Sequence, residues 1–410
     1  MSQEKRFTRG ERALISFGIL VPTLVLAWVG VDRKLNTVPD FVPPPQSIPA
    51  PNAMETLRSA YNLRVNTWEK PKTRFEDTLK MPLAERQKNL AANEKVITRV
   101  REALNQSYAT PIDWHNPMAQ TFPQYAEHRE LARQLALASA TYAEMGNRKE
   151  AIRCALDAIE MGIMVGGDGP IIGYLVGTAC ETIGRKALWD QLDALTPEEA
   201  GEALTRLESL EKRRNPSRKF LTVERAYAQK IISDLAHRTI KPADFVTPTN
   251  GNTENGAEQG KLMLALALTD KGKAWKASGQ YYDTLEDYWS RPYTRGVMPQ
   301  PPGDTINQIL APVFEQAYFN TTRNLTDSAL LRGCLKIKAQ SIPASFDAPA
   351  DPFNQNQPLH YEKKSDGYRL WSVGPDGKDN GGSPIPAKNN NSHVYEATQD
   401  GDVVARINTF

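Results

Sequence analysis

A chain of 410 residues is long enough to bury a sizeable core and to hold two or three domains. Its 50 Lys and Arg against 48 Asp and Glu leave a formal net charge of +2, without the strong basic excess of a domain whose main partner is nucleic acid. Cys154, Cys180 and Cys334 form no CxxC pair, which excludes a disulfide framework or a zinc site and reads most simply as three buried apolar residues, with one disulfide as the alternative.

The first predicted element is a membrane anchor. Ala13 to Val31, "ALISFGILVPTLVLAWVGV", runs 19 residues without a charge, just enough to cross the hydrocarbon core of a bilayer. Lys5, Arg6, Arg9 and Arg12 precede it and Trp28 sits near its far end. The positive-inside rule then keeps residues 1–12 in the cytoplasm and sends everything after residue 31 to the outside. This implies a single-pass protein of the cytoplasmic (inner) membrane with its bulk extracytoplasmic. A cleaved signal peptide ending near Val25-Leu26-Ala27 is the competing reading. Residues 32–51 form a linker in which Asn36 to Pro51 carry six prolines, a composition that favours extended polyproline II.

Residues 52–342 read as a helical domain. Leu90, Val96, Ile97, Val100 and Leu104 recur at helical spacing within Leu83 to Leu104, which predicts one amphipathic helix there. Glu130 to Met145 and Lys149 to Met161 follow as two helices broken at Gly146-Asn147. Further helices are predicted over Ile171 to Ile183, Pro197 to Lys212, Val223 to His237, Gly256 to Thr269 and Thr305 to Asn320, with a polar loop at 247–256. Residues 343–410 change character. "PLHYEK" and "YRLWSVG" are β-type runs around Asp366-Gly367, a two-residue hairpin signal. "GDVVARI", Gly401 to Ile407, supplies a third strand. The fold class expected is mainly α, an anchored helical bundle ending in a small β-rich tip.

Signatures of catalysis are thin, and an enzyme is not expected. "SLEK", Ser209 to Lys212, lacks the companion motifs of an acylating serine. "GGDGP", Gly166 to Pro170, fits neither a P-loop nor a dinucleotide fingerprint and reads as a connector. His115 beside Asp113 suits a local turn. An enzyme assembled from scattered carboxylates is the remaining alternative.

Four resemblances add to this. "YAEMGNRKEAIRCALDAIEMG" resembles one tetratricopeptide unit: Tyr142, Gly146, Ala151 and Ala158 match that family's spacing, although Ile163 stands where its closing proline belongs and no second copy follows at its period. "RFTRGE", Arg6 to Glu11, places Phe7, Thr8 and Glu11 like the head of a type IV pilin, with Arg6 where that family requires glycine. "DPFNQNQPLHYEKKSDGYRLWSVGPDGKDNGG", Asp351 to Gly382, resembles the C-terminal module of the major pseudopilin of type II secretion through Asp351, Pro352, Phe353, Pro358, Tyr361, Ser372, Gly374, Asp376, Gly377, Gly381 and Gly382. The whole chain also resembles large membrane-anchored helical proteins of planctomycete-like bacteria.

The pseudopilin resemblance implies a calcium ion. It would be held by the Asp376 carboxylate and the Val373 carbonyl, and Ser383 occupies the place of the family's second aspartate, so Asp379 or Asp402 would have to substitute. Calcium takes six to eight oxygens, and a tight glycine turn can aim several at one point. Gly374-Pro375-Asp376-Gly377 equally suits a plain type I turn. The expected function is a non-catalytic scaffold or interaction module of the cell envelope, with protein partners that the sequence does not name and no nucleic acid. The alternative is a component of a type II secretion or pilus-like assembly.

Overall fold

The computed structural model describes residues 29–68, 74–214, 219–245, 256–311, 314–387 and 395–409. The protein is mainly helical with one small three-stranded sheet. Most of the uncharged run, residues 13–28, lies outside the described residues. Its last three residues continue into a helix, α1, described over residues 29–35. Among the described residues no helix is long and apolar enough to cross a membrane.

Two compact units form. Of the described residues, the smaller gathers those up to Pro43 and those within Arg225–Tyr282 and Gln300–Ala311. The larger holds Pro44–Glu224, Asp283–Pro299 and Pro312–Phe410. In the larger unit α2 (Ala53–Asn62), α3 (Phe75–Thr78), α4 (Leu83–Ala92) and α5 (Glu94–Leu104) come first. The single helix expected over Leu83 to Leu104 is two, because Asn93 breaks it. The Asn93 side chain is fully buried and pairs with both backbone groups of Val65, accepting from its N–H at 2.9 Å and donating to its carbonyl at 3.0 Å. A side chain committed to a distant backbone draws its own residue out of helical register.

The next three helices are α6 (Gln124–Glu144), α7 (Arg148–Gly166) and α8 (Ile171–Trp189). Gly146 turns the chain between α6 and α7 at φ +81, and the Ser139 hydroxyl donates across the hairpin to the Ala151 carbonyl at 2.8 Å. Ala151 and Ala158 are fully buried, and Tyr142 packs on the cluster that contains Ala158. The pairing of α7 with α8 is backbone against backbone. A Cβ at Gly177 would stand 2.5 Å from the Gly162 carbonyl oxygen, and one at Gly184 would stand 2.7 Å from that of Ala155. The order of these contacts makes the two helices antiparallel, and only glycine permits so close an approach.

Then come α9 (Pro197–Arg213), started by a Thr196/Glu199 capping box, and α10 (Lys219–Ala236). Next are α11 (Gly256–Leu268), α12 (Lys271–Trp289), α13 (Thr305–Leu310) and α14 (Phe314–Ala339). The helix expected over Thr305 to Asn320 divides between α13 and α14, with Pro312 in the sequence between them, since proline ends a helix at or before the preceding residue. The sequence reading also missed α12, whose buried Ala274, Tyr281, Tyr282, Leu285 and Trp289 do keep helical spacing.

The strands β1 (His360–Lys364), β2 (Gly367–Ser372) and β3 (Val403–Val404) form an antiparallel sheet in the order β1-β2-β3. Lys364 pairs with Gly367, so the hairpin turn is Ser365-Asp366 and not Asp366-Gly367. Only two residues of Gly401 to Ile407 are strand. The sheet shares its core with the helices: Leu370, Val373, Ile385, Tyr395 and Val403 join one apolar cluster with Leu207, Leu330, Leu331 and Leu335. On α14, a Cβ at Gly333 would lie 2.6 Å from the Leu370 side chain. The three cysteines are all free and buried.

Candidate functional site

Two places bring chemistry together in the larger unit. The first is the loop after β2. Gly374 (φ +72) and Gly377 (φ +68) hold a turn closed by the Gly377 N–H on the Gly374 carbonyl at 3.2 Å. Gly374 is also pressed so close to the Gly401 carbonyl that a Cβ would lie 2.2 Å from it. Both constraints select glycine.

The carboxylates around this turn face backbone N–H groups. Asp376 accepts from the Lys378 N–H at 3.1 Å, the Asn380 amide at 3.3 Å and the Gly401 N–H at 3.4 Å. Asp402, fully buried, accepts from the Asn380 N–H with both oxygens at 3.1 Å and from the Gly382 N–H at 2.7 Å. Burial raises its pKa, the two N–H groups oppose that, and the charges of Asp379 and Asp376 push it further up. Asp379 turns the other way, toward the Trp371 indole N–H at 3.0 Å, the Gly381 N–H at 2.9 Å and His360 Nδ1 at 3.4 Å. The indole hydrogen bond in particular holds the Asp379 carboxyl below its ordinary range. The structure thus joins Asp376 and Asp402 through Asn380 and leaves Asp379 on the His360–Trp371 side, where those two rings stack at 5.4 Å.

Val373 is buried, and its N–H donates to Asp351 at 3.0 Å. Asp351, also fully buried, further accepts from the Phe353 N–H at 3.0 Å and the Ser372 hydroxyl at 2.7 Å. This carboxylate ties the Asp351-Pro352-Phe353 turn to the end of β2 and so sets the base of the loop. The sequence marked Asp351 only as the first residue of the pseudopilin-like stretch and did not assign it that role. Among the described residues no three His, Cys, Asp or Glu side chains gather closely enough to hold a metal ion. The Asp376, Asp379 and Asp402 carboxylates are each already met by N–H groups, so as arranged here they do not converge on a cation.

The second place is a groove of about 800 Å³ beside α2, α3 and α6, lined by Tyr61, Arg64, Trp68, Phe75, Arg133 and Gln134 among others. Arg64 lies over the Tyr61 ring at 5.2 Å and pairs with Glu130 at 3.3 Å, and Arg133 pairs with the same Glu130 at 2.5 Å. Gln134 donates to Asn89 at 3.0 Å and Asn89 donates to Thr67 at 2.9 Å, which ties the irregular chain 64–68 to one wall. Nothing in the sequence reading pointed here, because the groove is built from residues up to 76 positions apart, and no linear motif spans them.

The deeper ionic groups serve packing. Arg214 reaches Glu181 with two hydrogen bonds, at 2.8 and 2.6 Å, and Glu211 at 2.9 Å. Arg185 and Asn324 also bond Glu181, each at 3.1 Å. Burial would raise the Glu211 carboxyl, but Arg214, Ser328 and Arg332 outweigh it and hold it down at about 2. Two carboxylates and two guanidiniums balance, and they join α8, α9 and α14 in one register. His115 sits in a turn capped by Asp113, whose side chain accepts its N–H at 2.9 Å.

No protein-family model, curated protein or solved structure matches this chain.

Proposed function

We propose that this protein is a non-catalytic scaffold of the cell envelope, tethered to the cytoplasmic membrane by Ala13 to Val31 with its bulk outside, and that it works by binding other proteins. The observation that supports this is the groove beside α2, α3 and α6. It is open to solvent and presents Tyr61, Trp68 and Phe75 together with Arg64, Arg74 and Arg133. Tyr, Trp and Arg are the residues that most often carry binding energy at protein interfaces, because they bury much area while keeping a polar end satisfied. Helix α6 of the tetratricopeptide-like hairpin supplies one wall of this groove through Glu130, Arg133, Gln134 and Leu137. A photo-crosslinking residue in place of Arg74, in native membranes, is expected to give discrete protein adducts that the same residue in place of Lys212 does not. Equal labelling at both positions would sink the groove as the binding face.

A second reading, a component of a type II secretion or pilus-like assembly with calcium at the C-terminal loop, has one observation in its favour. Asp376 and Asp402 crowd the same Asn380, and their mutual repulsion helps to push Asp402 upward. A divalent cation would relieve that repulsion if Asn380 swung aside. It would take oxygens from Asp376, Asp402 and the Val373 carbonyl.

A further inference from the structure

Residues 32–41, which follow the uncharged run directly, are fastened to the smaller unit at four points. Asp32, the first charge beyond the run, receives an Arg238 guanidinium N–H at 2.6 Å. Gly272, at the start of α12, packs so closely on Thr37 that a Cβ there would lie 2.5 Å from the Thr37 carbonyl oxygen. Val38 joins the apolar cluster of Ile231, Ile232, Leu235, Leu266, Ala274 and Ile306. The Lys230 ammonium lies 5.9 Å from the centre of the Phe41 ring. The chain therefore does not leave the bilayer as a free tether. It is clamped to this unit within the first ten residues after the run.

Helix α11 ends at this clamp. The Lys271 ammonium donates to the Ala267 carbonyl at the end of α11 at 2.6 Å, and the Asp32 charge acts on the same ammonium. Leu268 thus stands three residues from a group that senses Asp32. One face of α11 is used inward: Leu266 is fully buried and Leu262 packs on the same cluster. The opposite face presents Leu264, Ala267 and Leu268 at spacings of three and four, with Leu264 59% and Leu268 52% exposed. Val29 and Val31 at the start of the clamp are 54% and 50% exposed. Lone exposed leucines are ordinary, but an aligned apolar stripe with lysines beside it is the pattern of a helix lying in a membrane interface. Lys261 lies one turn before Leu264 on α11 and is exposed, and Lys273 and Lys276 are exposed on α12, Lys273 beside Asp270 at 3.7 Å. With a rise of 1.5 Å per residue, the end of α1 at residue 35 lies only about 6 Å beyond Val31, which is within reach of the headgroup layer, and Thr37 follows two residues later.

We propose that α11 is an interfacial helix, its Leu264–Ala267–Leu268 stripe bedded in the outer headgroup and acyl boundary of the bilayer that the preceding run crosses, with the exposed lysines toward lipid phosphates. The smaller unit is then a collar seated on the membrane. This rests on the tethered reading above and adds a second, peripheral contact to it.

The test uses the full chain reconstituted in phosphatidylcholine–phosphatidylglycerol vesicles, with an environment-sensitive fluorophore on Leu268→Cys. The three native cysteines are buried, which directs labelling to the new one. Expected is a blue-shifted emission, quenched several-fold more by spin-labelled lipids than the same probe on Lys212→Cys. A probe on Ala267→Cys should lose its blue shift when Leu264→Glu and Leu268→Glu are added, and these exposed sites tolerate charge without unfolding the core. Emission at 268 equal to that at 212, or a blue shift that spin-labelled lipid leaves unquenched because a second copy covers the stripe, overturns the proposal. Carbonate extraction of the wild-type chain separates this from the tether. A chain that stays in the membrane while the 268 probe reads water refutes the interfacial helix alone, and a chain that carbonate releases refutes the tether and the collar with it.

Discussion

Acid probes the packing of α6 at a single residue. His128 is fully buried, neither ring nitrogen has a hydrogen-bond partner among the described residues, and the rings of Tyr108 and Tyr125 stand edge-on to it at 5.8 and 6.2 Å. Burial lowers its pKa from 6.5 to about 3. The folded chain keeps His128 neutral above that value, whereas the unfolded chain takes up a proton below 6.5. Stability is therefore lost as pH falls through this window, by about 1.4 kcal/mol per unit. Between pH 7.5 and 5 the loss comes to about 2 kcal/mol. Glu224 acts in the opposite sense. Burial raises its carboxyl from 4.5 to about 7, so the fold gains as pH falls from 7 toward 4.5. The wild-type profile mixes both effects, and His128→Leu separates them. That change keeps the volume and removes two unpartnered nitrogens, so the variant should be at least as stable as wild type near pH 7.5 and pull ahead by about a further 2 kcal/mol near pH 5. Urea unfolding of the full chain in mild detergent, followed by far-ultraviolet circular dichroism, measures the gap. A gap that stays constant across this range, or a His128 resonance that titrates near 6.5, refutes the reasoning.

Three further outcomes follow from the packing and the C-terminal loop. Gly177→Ala sets a methyl 2.5 Å from the Gly162 carbonyl oxygen, so α7 and α8 must part at a cost of about 1–3 kcal/mol or more, and an unchanged melting temperature would mean the helices are not in this register. Glu181→Gln leaves Arg185 and Arg214 short of a charge inside the core and should cost about 3–5 kcal/mol; a loss below about 1 kcal/mol would place that network in solvent. Millimolar calcium should slow amide exchange at Asn380 to Gly382 in wild type and leave Asp376→Asn unaffected, with Asp402→Asn testing the second carboxylate. Exchange identical with calcium and with chelator would reduce the loop to a hydrogen-bonded turn.

What the sequence by itself determined is local. Apolar spacing sufficed for α6 to α9, since their buried faces recur at three and four residues and their ends carry Gly146, Pro197 and the Thr196 cap. The β-type runs sufficed for the presence of β1 and β2, although the turn between them falls one residue earlier than Asp366-Gly367 suggested. The turn at Gly374 to Gly377 was legible because a proline in second place and a glycine in fourth specify it within four residues. What only the tertiary structure decided is everything that depends on partners distant in sequence. Asn93 breaks a well-patterned helix for the sake of Val65, and no local signal encodes that bond. Asp376 and Asp379 stand three residues apart and Asp402 lies in a later segment, yet Asn380 draws Asp376 and Asp402 together and Trp371 takes Asp379 away. The groove beside α2, α3 and α6 and the exposed stripe of α11 were equally invisible. A leucine at helical spacing reads as core until the packing of Leu266 inward leaves Leu264 and Leu268 facing out. Periodicity fixes which residues share a face, and only the tertiary contacts decide which face is covered.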